Sequence, residues 1–432
     1  MPIEPKVPPQ GRFNRFRKLA SLSAQVGTEV LARGVKRLAG AEAPLLSKGA
    51  AEKLVSTLGV LKGVAMKFGQ AASMDPDMLS PEVRTILSRL QNEAPPMPYA
   101  TVVEVIEEEF GKPPQALFSR FDAKPLAAAS LGQVHRAALF DGREVVVKIQ
   151  YPGVRESMTS DLDNLGALVR ALSRASHALD GKAYYQELRD EMLLEVDYRR
   201  EAALCEGFAR AVAKLPQLKV PEVISDRTGH RVLTLEFLEG KTLKDWVQTD
   251  PSPAERFRIS RLLIHAVYGP FFLDGEIHAD PHPGNFIVMP DGRLGVVDFG
   301  SVKRFSPAFV EANLRMFKDA RSGKPFDVLA VCKQVGFSIE LPDELAAELV
   351  GQVLHTAGRA LQADDYDYAQ DDVSRDLKKL FAEHASKFLK IRPPSEAVMF
   401  FRATGGCTQN LKVLKGRGNF KAVFDELATL LP

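Results

Sequence analysis

The stretch His278-Ala-Asp-Pro-His-Pro-Gly-Asn285, followed by Gly295-Val-Val-Asp298-Phe299-Gly300, constrains this chain more than any other. Between the two halves lie short apolar runs, Phe286–Met289 and Leu294–Val297, joined by Pro290-Asp-Gly-Arg293. Runs of that length around an Asp-Gly pair read as a tight hairpin. The hairpin would bring Asn285 and Asp298 to neighbouring strand ends. A histidine/aspartate turn beside a surface hairpin explains either half alone. It does not explain both halves in this order.

The order Asp280, Asn285, then Asp298-Phe-Gly is that of a kinase-like catalytic loop and its metal-binding aspartate. Phosphoryl transfer needs a carboxylate near the attacking oxygen. It also needs oxygen ligands that hold magnesium against the phosphates of ATP. Asp280 suits the first task; Asn285 and Asp298 suit the second.

A loop over the phosphates and a lysine strand are then expected upstream. Ala127, Ala129, Gly132 and Val134 stand where such a loop carries three glycines and a valine. Ala128 fills the run, and Ser130 falls near the tip. Alanines add Cβ atoms and stiffen a turn that glycine would leave supple. Asp141-Gly142 then marks a hairpin into Arg143–Ile149, the strongest strand run in the chain. Lys148 sits inside it among valines. Such a lysine either snorkels to solvent or meets a carboxylate and an anionic ligand.

The candidate carboxylates are in Glu195-Val-Asp197-Tyr-Arg-Arg-Glu201, within helical sequence expected over 184–212. Glu195 and Glu201 are six residues apart, which separates them around a helix. Different parts follow: Glu201 is assigned to Lys148, and Glu195 with Asp197 to something else. Leu235–Gly240 falls where a strand would lead into a hinge. Backbone groups at Glu236 and Leu238 are the candidates to hydrogen-bond adenine.

A chain of 432 residues exceeds one small core, and 45% hydrophobic with 26% charged residues places it among soluble globular proteins. A formal charge of +2 makes no electrostatic case for nucleic acid. Cys205, Cys332 and Cys407 are too few and too dispersed for a disulfide framework or a zinc site. No run reaches the ~18 apolar residues of a membrane span. Leu262–Leu273, the nearest, reads as a buried helix under the catalytic loop. The expected location is cytoplasmic, at most peripheral at a membrane surface.

Four segments are expected. Residues 1–45 hold a basic amphipathic helix over Phe13–Leu38; residues 1–40 carry eight Lys/Arg against two Glu, a net +6. It suits an anionic membrane surface or its own domain, and Gly27 and Gly34 favour the latter. Residues 46–117 are helical, ending in Tyr99–Phe110 before Gly111-Lys-Pro-Pro114. Residues 118–238 carry the strands, with helical sequence from Val154 to Ala178 and further strands at Lys219–Ile224 and Arg231–Phe237. Residues 239–432 are helical apart from the catalytic hairpin. The acidic residues Asp364, Asp365, Asp367, Asp371 and Asp372 lack calcium-loop spacing and read as a solvated loop and helix start.

These motifs together resemble the UbiB-type atypical kinase family. Lys67-Phe68-Gly69-Gln70 matches its Lys-x-Gly-Gln motif, Ala127–Ser130 its alanine loop, and Glu195-Val196-Asp197 its Glu-x-Asp motif. His278–Asn285 and Asp298–Gly300 match its catalytic elements. The resemblance implies an α+β, protein-kinase-like two-lobed fold with a helical N-terminal extension over the active site. It implies that Lys67 and Gln70 meet Glu195 and Asp197 there and gate the site against protein substrates. It further implies ATP and Mg2+ as cofactors, ATPase-like activity and a link to ubiquinone or related prenyl-lipid metabolism. Two rival readings are a small-molecule phosphotransferase and a non-catalytic ATP-binding scaffold of a lipid-biosynthetic complex. The Lys67–Gln70 motif and the alanine loop count against the first.

Overall fold

The computed structural model describes residues 96–129, 131–159, 162–163, 189, 193, 196–280, 282–322 and 327–429. Expectations for residues 1–95, for Ser130 and Glu195, and for most of 160–195 lie outside the described residues. The chain divides into two compact units. One comprises residues up to Arg200 together with Ile224–Leu235; the other comprises Glu201–Val223 and Glu236–Pro432.

In the first unit, helix α1 spans Tyr99–Phe110, as its apolar spacing predicts. Val102, Val105 and Ile106 recur at helical intervals and are buried. Gly111 ends the helix at φ +66°, a left-handed cap open to glycine, with its N–H on the Glu107 carbonyl at 2.8 Å. A short helix α2 (Pro114–Leu117) leads into the sheet. Its strands are β1 (Arg120–Phe121), β2 (Ala127–Ala129), β3 (Gly132–Ala138) and β4 (Glu144–Gln150). The strand β6 (Val232–Glu236) completes it, in the order β1-β3-β4-β6 with β2 against β3. The Asp141-Gly142 turn forms as expected, with Gly142 at φ +88°.

Strand β4 alternates. Val145, Val147 and Ile149 are fully buried against Val102, Val105, Ile106 and Phe118. Lys148 points to the opposite face. Removing Ile149 beyond Cβ would cost about 2–5 kcal/mol.

Helix α3 (Tyr198–Ala211) is shorter than expected, because the chain is not helical at Val196 and Asp197. Asp197 takes the Arg199 N–H at 3.1 Å, a bond of the kind that caps the start of a helix. No unbroken helix therefore runs up to Glu201 through Val196 and Asp197, so helical angles do not decide how the carboxylates divide. Lys219–Ile224 also differs: only β5 (Leu218–Lys219) is strand. Pro221 lacks the N–H that a continuing ladder needs.

The second unit contains a four-stranded sheet of order β5-β10-β9-β7. Here β7 is Lys241–Thr242, β9 is Phe286–Val288 and β10 is Leu294–Val296. Helix α4 (Leu243–Val247) precedes α5 (Pro253–Asp274). The latter starts with Pro253 after a Ser252/Glu255 capping box and stops at Gly275, φ +71°. Its Leu262–Phe272 portion is almost wholly buried, so it is the central helix of the unit. Where the sequence reads as helix after Leu243, the structure inserts short strands. β8 (Glu276–His278) pairs with β11 (Val302–Arg304), and two further two-stranded ladders follow. Runs of two or three residues leave no periodicity to detect.

The acidic segment is less solvated than expected. Arg359 binds Asp371 and Asp376 at 2.8 and 2.7 Å, and Arg417 binds Asp365 at 2.7 Å. Asp372 starts the helix Val373–Glu383, accepting the Arg375 N–H and pairing with Lys412 at 2.8 Å. The three cysteines are buried and form no disulfide; burial pushes the Cys332 and Cys407 thiols up to about 11 and about 12. Among the described residues, no helix is long and apolar enough to cross a membrane.

Candidate active site

The site residues are distributed over both units, and each set has its own geometry. In the first unit, the alanine loop forms as a strand pair. Ala127 faces Val134, Ala128 faces Gln133 and Ala129 faces Gly132. Ala127–Ala129 is thus strand, and the turn is confined to the residues after it. Gly132 admits no substitute: a Cβ there would overlap the Ile149 carbonyl oxygen of β4. Val134 and Lys148 are cross-strand partners, so both side chains stand on one face.

Lys148 Nζ lies 5.2 Å from the ring centroid of Tyr198, which is 1% exposed. An ammonium over a desolvated ring gains about 0.5–2 kcal/mol. Sequence reasoning missed Tyr198, although it lies between the singled-out Asp197 and Glu201. Nothing local marks a tyrosine as a platform for a lysine fifty residues earlier by number. Asp197 sits just before α3 and also accepts from His230 Nδ1 at 3.2 Å. Its expected partners Lys67 and Gln70, like Glu195 and Ser130, lie outside the described residues.

In the second unit the catalytic stretch folds on itself. Asn285 is 9% exposed. Its Nδ2 donates to Asp280 Oδ2 at 3.0 Å and to the Asp280 carbonyl at 3.2 Å. With the amide nitrogen so engaged, the amide oxygen is left to accept or to ligate. His282 Nδ1 accepts the Gly284 N–H at 3.1 Å, and the His282 carbonyl accepts the Asn285 N–H at 2.9 Å. These bonds form the turn between the aspartate and the asparagine. The hairpin has the expected register, Leu294 opposite Val288 and Val296 opposite Phe286. Val297 N–H then donates to the Asn285 carbonyl at 2.9 Å, which places Asp298 one residue beyond the last bond at the open end of the hairpin.

Asp298 has φ +65°, the left-handed region that costs an L-residue about 1–2 kcal/mol. Surrounding contacts hold it there. His278 Nε2–H donates to the Asp298 carbonyl at 2.7 Å. Phe299 is fully buried, 5.5 Å from Phe208 and 5.9 Å from His278 between ring centroids. His278 Nδ1 is buried and makes no hydrogen bond among the described residues. The carbonyl can only accept, so the proton is on Nε2. A Cβ at Gly300 would lie 3.7 Å from Asp298 Oδ1 and 3.8 Å from Glu201 Oε2. Glu201, 4% exposed, thus directs its carboxylate to the segment that carries Asp298.

Glu236 and Leu238 divide differently. The Glu236 N–H donates to the Glu222 carbonyl at 2.8 Å, and its carboxylate pairs with Lys219 at 2.7 Å. The Leu238 side chain enters the core, where a Cβ at Gly295 would come within 2.8 Å of it. The expectation for these two residues concerned their backbone groups only.

Comparison with known proteins bears on the family and the fold. The ABC1 atypical kinase-like domain matches residues 89–324. The chain is 30% identical to the mitochondrial atypical kinase coq-8 of Caenorhabditis elegans, over 89% of its own length and 51% of that protein. It is 31% identical to the mitochondrial atypical kinase COQ8B of Rattus norvegicus, over 90% of this chain and 75% of that one. It therefore spans about half of the nematode relative and three quarters of the rat relative. Among solved structures, the Rv3197–erythromycin complex from Mycobacterium tuberculosis is similar with a TM-score of 0.64 and 29% identity. The match covers 88% of this chain and 96% of that one. The α+β architecture is that of the kinase-like fold. Since the family match spans more than half of the chain, the chain belongs to the ABC1 atypical kinase-like family, the UbiB-type kinases that its motifs resemble.

Proposed function

We propose that this protein is an ATP- and Mg2+-dependent atypical kinase or ATPase, passing the terminal phosphoryl group to water or to a small-molecule or lipid acceptor. The observation that carries the proposal is the joining of Asp280, Asn285 and Asp298 by one turn and one hairpin within a single unit. Asp280, held by Asn285, orients the attacking oxygen. The Asn285 amide oxygen and the Asp298 carboxylate are hard donors of the kind magnesium takes, so the residues present fit that ion. When bound, magnesium would neutralise phosphate charge. Lys148 orients the phosphates beneath the alanine loop of Ala127, Ala128, Ala129, Ser130, Gly132 and Val134. Its assignment to Glu201 rests on the sequence. Backbone groups of Glu236 and Leu238 take the adenine, and Lys67, Gln70, Glu195 and Asp197 gate the site.

The physiological setting we propose is support of ubiquinone or related prenyl-lipid metabolism, with peripheral membrane contact through the basic segment of residues 1–45. The family motifs and the atypical kinase relatives support that reading. The test is nucleotide turnover by the purified chain, with and without anionic liposomes. Magnesium-dependent turnover should appear in the wild type and fall by two orders of magnitude or more, roughly, in Asp298→Asn. Undiminished turnover in that variant would sink the site assignment. Stabilisation by ATP without any turnover would replace the enzyme with a nucleotide-binding scaffold.

A further inference from the structure

The apolar face of the first unit's sheet contains two polar residues that no role yet explains. Gln133 and His135 are opposite Ile149 and Val147 across the β3–β4 ladder. Cross-strand partners share a face, so both side chains point into the cluster of Val102, Ile106, Phe118, Val147 and Ile149. Gln133 is 1% exposed and His135 is fully buried. Polar groups in such a place are costly unless every one is bonded.

They are bonded, and in one arrangement only. Gln133 Oε1 accepts the Met97 N–H at 2.8 Å, and Nε2 reaches the Met97 carbonyl at 3.4 Å. One amide thus holds both backbone groups of one residue. Its Nε2 also meets His135 Nε2 at 2.8 Å, while His135 Nδ1–H donates to the Asp122 carbonyl at 2.8 Å. Since the carbonyl can only accept, Nε2 is the acceptor, and the Gln133 amide cannot be flipped without setting donor against donor. The Phe121 ring stacks on His135 at 5.2 Å. Burial holds the imidazole pKa below its ordinary value, which keeps it neutral as this network requires.

We propose that Gln133, oriented by His135, is a positioning residue for the alanine loop. It follows Gly132 directly and fastens the loop's return strand to the backbone at Met97, where the chain arrives from residues 1–95. Displacement of the chain at Met97 is thereby passed to the loop. The proposal rests on the reading of that loop as a phosphate-binding element.

The test uses the full chain with Gln133→Leu and with the double variant Gln133→Leu/His135→Leu. The single change orphans Met97 and His135, so the melting temperature should fall. The double change removes both polar side chains, so stability should recover in part. If the pair positions the loop, both variants raise the KM for Mg-ATP roughly tenfold with kcat within about twofold. Both then also speed amide exchange at Met97 and over Leu126–Leu131. A double variant with wild-type KM and wild-type exchange overturns the proposal and leaves a purely structural pair. Should the wild type bind no Mg-ATP, the reading of the loop fails instead. Amide exchange still decides on the clamp: unchanged exchange at Leu126–Leu131 refutes it.

Discussion

The alanine-loop sheet and the Asp280–Asp298 stretch are assigned to one reaction, yet they are held by opposite means. The loop is placed chiefly by backbone on backbone, with the Gln133 amide fastening its return strand to Met97. Gly132 lies so close to the Ile149 carbonyl that no side chain fits, and buried valines fill the face behind it. The catalytic stretch is placed by side chains. Asn285 bonds Asp280, His282 bonds Gly284, and His278 bonds the carbonyl of an aspartate in a left-handed conformation. The first arrangement tolerates almost any solvent-facing side chain and no change in backbone. The second tolerates little change in side chains, because each polar group removed strips its partner of a hydrogen bond. A stability assay should therefore report on the loop, and a turnover assay on the catalytic stretch.

Three substitutions would break or sharpen that contrast. The largest stability effect is expected from Gly132→Val. Its overlap with β4 cannot be relieved by a rotamer change, so unfolding free energy should drop by about 3 kcal/mol or more in denaturant titration. An unperturbed midpoint would mean that β3 can move away from β4. His278→Leu should come next. It keeps the apolar packing against Phe208 and Phe299 but strips the Asp298 carbonyl of its donor, a loss of about 1–3 kcal/mol. Turnover per folded molecule should fall more steeply than stability does. Equal falls would show that His278 serves packing alone. Tyr198→Leu is the mildest, at about 0.5–2 kcal/mol of lost attraction for the Lys148 ammonium, read as a few-fold rise in KM for ATP. Tyr198→Phe keeps the ring and should match the wild type; a rise there would move the effect from ring to hydroxyl.

What could be read in advance had local causes. Tyr99–Phe110 was legible to the residue because helical spacing and a glycine stop both lie within the segment. The two hairpins were legible because Asp-Gly pairs demand a turn, and Gly142 and Gly292 both adopt φ +88°. The order Asp280, Asn285, Asp298 stood out because the proposed phosphoryl transfer restricts residue types. The misses were contests between local forces. Helical propensity ran through Val196–Asp197, but the chain is not helical there and the Asp197 carboxylate takes a backbone N–H at the start of α3. Apolar character ran from Lys219 to Ile224, but Pro221 interrupted the ladder. Two-residue strands such as Tyr366–Asp367 exist only because a distant partner, Arg417–Gly418, lies alongside.

The sequence by itself determined the family, and it named the residues to which the proposed chemistry is assigned, since motif spacing and residue type are properties of the chain alone. Only the tertiary structure decided what holds those residues in place: Tyr198 beneath Lys148, His278 on the Asp298 carbonyl, Glu201 beside Gly300, and Gln133 around Met97. Each of those contacts except the first joins groups through a bond or an approach of a few ångströms. None is encoded by spacing along the chain, because which residues come that close depends on how the strands and helices pack.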